Sequence, residues 1–112
     1  SITAKDVDVK KSIDNAVVNA GSRSEYLEIL EEHLKQTGSL SKTISVCGGV
    51  KKIYEDLLSI SIRINNLSKE DAETYAAMFL MQALGNPQDL TEDIIRDSKL
   101  LEEYCEKKGY EY

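Results

Sequence analysis

Thr43-Ile44-Ser45-Val46-Cys47-Gly48-Gly49-Val50, continued by Lys51-Lys52-Ile53-Tyr54-Glu55-Asp56-Leu57-Leu58-Ser59-Ile60-Ser61-Ile62-Arg63-Ile64, is the stretch on which the fold class turns. Thr43 to Cys47 and Ser59 to Ile64 alternate as strands do, and a glycine pair between strands suits a hairpin. Against this, Val50, Ile53, Leu57, Ile60, Ile64 and Leu67 recur at spacings of three and four, the period of a helix face. A glycine inside a helix costs about 1 kcal/mol, so one unbroken helix is disfavoured. A short helix before Gly48 and a long one after Gly49 accommodate both features. A hairpin centred on Gly48-Gly49 is the alternative.

Working outward, four more helices are marked by their ends. Thr3-Ala4-Lys5-Asp6 reads as a capping box with Asp in the Glu place, flanked by Ile2 and Val7 at the staple positions. That helix carries Val7, Ile13, Ala16, Val17 and Ala20, and Gly21 stops it. Ser22-Arg23-Ser24-Glu25 is a second capping box, opening a helix with Tyr26, Leu27, Leu30 and Leu34 at helical spacing and Gly38 after it. Ser68, with Asp71 three residues on, starts another that runs to about Leu84 before Gly85. It is apolar nearly all round between Tyr75 and Leu84, so it is expected at the centre. The last begins near Thr91, with Leu90 and Ile95 as staple, and Gly109 stops it; Glu92 and Asp93 suit its start, Lys107 and Lys108 its end. These elements predict an all-α bundle of about five helices in one domain, residues 1–109, followed by a short aromatic tail, 110–112.

Composition narrows the function classes. Hydrophobic residues form 41% and charged residues 30% of 112, a globular balance that can bury a core without staples. A net charge of −6 with scattered lysines argues against general affinity for nucleic-acid phosphates. The longest apolar run, Ala76 to Met81, is far short of the ~20 residues that span a bilayer. Cys47 and Cys105 are too few for a disulfide framework and fall at apolar positions. Buried thiols in the cytoplasm are therefore expected, with a cleaved leader before Ser1 compatible with the sequence.

No chemistry assembles readily. His33, the one histidine, has Glu28, Glu31 and Glu32 near it in sequence and reads as a solvated surface residue. Three residues before it stands Leu30, so the Glu-x-x-His of carboxylate metal sites is missing. Cys47 and Cys105 with one His make no zinc spacing, and Gly48-Gly49 lacks the following Lys-Ser/Thr of a phosphate loop. No catalytic residue, metal or cofactor is expected, and no small-molecule substrate is evident.

Two binding readings remain. The acidic residues of the second helix, Glu28, Glu31 and Glu32 with Glu25, would suit a small regulatory protein, inhibitor- or immunity-like, that blocks a basic site on a protein partner. Glu102, Glu103 and Glu106 form a second acidic cluster. On a helical wheel the apolar arc from Val50 to Leu67 covers about 220°, with Lys52, Glu55, Asp56, Ser59 and Arg63 filling the rest. Tyr54, Leu58 and Ile62 are therefore expected to pack on a partner or a second copy. The alternative is a helix-turn-helix DNA-binding regulator over residues 26–58, using Lys42, Lys51 and Lys52.

Overall fold

Gly48 and Gly49 break the chain between two helices. Their φ values of 97° and 106° lie where side-chain-bearing residues are strained, which lets the backbone reverse there without a hairpin. The structure, a computed structural model, describes residues 2–19 and 23–112. Among them there is no strand, and the helices are α1 (Ala4–Val18), α2 (Arg23–Thr37), α3 (Leu40–Val46), α4 (Val50–Asn65), α5 (Lys69–Ala83), α6 (Glu92–Arg96) and α7 (Ser98–Lys108). The all-α class holds; the hairpin alternative does not.

The expected break at the glycine pair is present and yields two helices, α3 and α4; one further division, not expected, brings the described helices to seven. Asp97 then splits the last helix: its backbone is extended, and its carboxylate accepts from the Lys99 and Leu100 N–H groups, so α7 starts afresh. The other read caps stand. Thr3 and Asp6 form a reciprocal capping box, and the Ser68 and Thr91 hydroxyls accept from the Asp71 and Ile94 N–H groups. Gly38, Gly85 and Gly109 follow helix ends at positive φ. Leu90 and Ile95 are both buried, whereas Ile2 and Val7 are exposed, so no buried staple closes α1. The expected box at Ser22 and stop at Gly21 lie outside the described residues.

One apolar core runs through the molecule, with Ile13, Tyr26, Leu30, Ile44, Ile53, Leu57, Ile60 and Leu80 among its buried members. The antiparallel pair α4 and α5 makes the most extensive helix contact. The helix expected at the centre, α5, is covered on one side only. Ala72, Ala76, Ala77 and Leu80 are buried, while Tyr75 and Met78 stay 41% and 49% exposed. Small residues on its inner face let α4 approach closely, and α4 takes the deeper position. Its covered face does not coincide with the apolar arc of the wheel: Asp56 and Ser61 are buried, whereas Ile62 and Ile64 stay exposed.

Residues 110–112 fold back onto the start of α4. Gly49 offers no side-chain cap, and the tail's backbone supplies the missing acceptors. The Val50 N–H donates to the Glu111 carbonyl at 3.0 Å and the Lys51 N–H to the Tyr112 carbonyl at 2.8 Å. A Cβ on Gly49 would stand 2.7 Å from the Tyr112 carbonyl atoms, so only glycine admits this approach. Tyr110 and Tyr112 pack against the core.

Candidate functional site

Helix α2 presents two unlike flanks. Tyr26, Leu30 and His33, spaced four and three apart, all face the core. Its outer ridge carries Glu25, Glu28, Glu31, Glu32 and Lys35, all exposed. Between that ridge and α1 runs a broad open groove. Lys5, Asp8, Ser12 and Asn15 line it from α1; Val9, Ile29 and His33 contribute to its floor. Five carboxylates, from Asp8, Glu25, Glu28, Glu31 and Glu32, face it against the ammonium groups of Lys5 and Lys35. At the surface of this groove Lys35 lies 3.5 Å from Glu31, and the Gln36 amide donates to Glu32 at 3.4 Å, contacts that solvent screens.

The groove's floor is stiffened from below. His33 is not a solvated surface residue; it is 2% exposed. Its Nε2 lies 3.0 Å from Asp6 Oδ1 and its Nδ1 2.8 Å from Thr43 Oγ1, which joins α1, α2 and α3 through one imidazole. Thr43 Oγ1 also donates to the Ser39 carbonyl at 3.1 Å, and Asp6 Oδ2 accepts from the Thr3 N–H at 3.0 Å. The hydrogen bond from His33, then that from the Thr3 backbone, holds the Asp6 carboxyl far below the usual carboxylate range. In form this is an Asp–His–Thr chain, but the hydroxyl is buried in the middle of α3. What the geometry visibly does is lock three helices together beneath the groove.

The signal for His33 was present in the sequence. Tyr26, Leu30 and His33 form one helical stripe, and charged neighbours at positions 31 and 32 lie on another face. Asp6 and Thr43 carried no mark of a partnership, being 27 and 10 residues away.

A second buried carboxylate, Asp56, lies on α4. The Tyr26 hydroxyl donates to Asp56 Oδ2 at 2.9 Å, and Lys52 pairs with Asp56 Oδ1. Burial, then the Asp56 charge, pushes the Tyr26 phenol well above its ordinary value. Both thiols are free and buried. Burial first, then the Asp56 charge, raises Cys47 to about 12; burial raises Cys105 to about 11, so neither is a ready nucleophile near neutral pH.

The opposite flank of α2 borders an apolar pocket of about 180 Å³. Leu27, Leu30 and Leu34 form one wall; Leu40 and Ile44 of α3, Ile53 of α4 and Ala83 and Leu84 at the end of α5 form the others. Its polar lining is Glu31, Thr43 and Gln82.

The remaining expected site residues are dispersed. Tyr54 and Leu58 pack partly buried on the core of their own chain, and Ile62 is 39% exposed. The Tyr54 hydroxyl is buried with no hydrogen-bond partner among the described residues. Lys42 lies 3.6 Å from Asp6 Oδ2, Lys52 is paired with Asp56, and the Lys51 ammonium lies 5.7 Å from the Tyr112 ring centroid. Each lysine of the DNA-binding alternative thus has a partner within the chain. Glu102, Glu103 and Glu106 lie on α7, outside the groove. No group of three or more His, Cys, Asp or Glu side chains among the described residues could hold a metal ion, and no helix there is long and apolar enough to cross a membrane. No protein-family model matches the chain, and neither a curated protein nor a solved structure is significantly similar to it.

Proposed function

We propose that this chain is a small, non-catalytic regulatory binding protein that docks a basic region of a protein partner on α2 and the groove beside it. The observation that carries the reading is the convergence of five carboxylates and two lysines on one concave surface. A cleft with a clear excess of one sign of charge concentrates field and speeds encounter with an oppositely charged partner. Stiffening by the His33 bridge lowers the ordering cost of binding there. Occupying a basic site on its partner would make the protein inhibitor-like.

A lysine heptapeptide titrated against the labelled protein and followed by amide NMR shifts tests the reading. Shifts should concentrate on α1 and α2 and be lost in Glu28→Lys/Glu32→Lys. They should persist in Glu102→Lys/Glu103→Lys on α7. Equal shifts on α2 and α7 would mean that the groove has no privileged role.

A further inference from the structure

We propose that the acidic ridge of α2 and the leucine pocket on its other flank form one bipartite docking surface, which takes a basic protein segment carrying a single large apolar anchor. The inference rests on the groove reading above and adds the partner's chemistry. Glu31 belongs to both features, lining the groove and the pocket. A segment crossing α2 therefore meets carboxylates first and then an apolar hole.

The pocket's size selects its occupant. At about 180 Å³ it resembles the roughly 150 Å³ apolar cavity that accepts one benzene ring, and is far too small for a helix. One phenylalanine or leucine side chain is the natural fit. Leu27 and Leu34 would close on the anchor, and Glu31 and Gln82 would meet its polar backbone and basic neighbours. A buried anchor within a polar rim is the usual arrangement of an interface hot spot. A helix is about 10 Å across, and extended chain covers about 3.3–3.6 Å per residue. Three to four residues on one side of the anchor thus suffice to reach from the pocket over α2 into the groove.

Two capped heptapeptides test this, Lys-Lys-Arg-Phe-Lys-Arg-Lys and the same sequence with Ser for Phe. The Phe peptide is expected to bind at least about tenfold more tightly, the gain from burying one aromatic side chain. It should shift the methyl signals of Leu27, Leu34 and Leu84, while the Ser peptide shifts only the acidic ridge. Ala83→Phe, checked for folding by circular dichroism, should fill the pocket and erase the difference. Toluene alone should bind more weakly than the Phe peptide. Equal affinities without methyl shifts would overturn the anchor and leave the groove reading intact. Toluene binding as tightly as the Phe peptide would make the pocket a small-molecule site and overturn it too. Failure of both peptides to bind would remove the groove reading with it.

Discussion

At the scale of the residue, His33 carries the most structural weight for its size. Ala in its place would leave the Asp6 carboxylate and the Thr43 hydroxyl without their shared partner and open a hole between three helices. We expect His33→Ala to cost on the order of 2 kcal/mol in urea unfolding; a change within error would mean that the bridge contributes nothing. Asp6 adds a pH signature. Its folded-state pKa is depressed below the ordinary 3.8, so its stabilising contribution is complete above that value and drains away as the pH falls below it toward the folded value. The wild-type urea midpoint should therefore fall between about pH 5 and pH 2 more steeply than that of Asp6→Asn. Parallel curves would show that Asp6 does not titrate with folding.

At the scale of the element, helix ends decided what could be read ahead of the structure. Thr3, Ser68 and Thr91 were legible because a cap and its amide lie three residues apart, and Gly109 because a stop is a one-residue signal. Asp97 was legible in principle, as Asp before Ser-Lys-Leu, yet the apolar spacing across it masked the break. Removing its carboxylate exposes two amides, and Asp97→Ala should cost about 1 kcal/mol. A urea midpoint equal to wild type would indicate one continuous helix from Thr91. The tail's hold on α4 could not be read, since Gly49 and Tyr112 are joined only by the fold. Gly49→Ala meets both an unfavourable φ and the Tyr112 carbonyl, whereas Gly85→Ala, at φ 85°, meets open space. Gly49→Ala should thus be the costlier change, and it alone should speed hydrogen exchange at the Val50 and Lys51 amides. Equal exchange in the two variants would deny the tail its capping role.

At the scale of the whole molecule, fold class was legible and the surface was half so. The acidic face of α2 follows from helical spacing; that α1 lies beside it with Asp8, and that a pocket opens on its far side, depends on how separate helices pack. The same charge crowding has an energetic side. Glu28 and Glu32 are like charges one turn apart, a pairing that disfavours a helix by roughly 0.2–0.5 kcal/mol. Glu28→Gln/Glu32→Gln should raise the urea midpoint at 0.01 M salt, and the gain should shrink at 0.1 M as the Debye length drops from about 30 Å to about 10 Å. A lowered midpoint would show that these carboxylates are already compensated within the chain. The capping of α4 by residues 111 and 112 also sets an order of events during synthesis. Ribosomes add about 5–20 residues per second, so the opening amides of α4 wait several seconds for acceptors encoded some sixty codons later. Until then the nascent domain holds α4 open at one end, and the closing of that helix is timed by the arrival of residues 111 and 112.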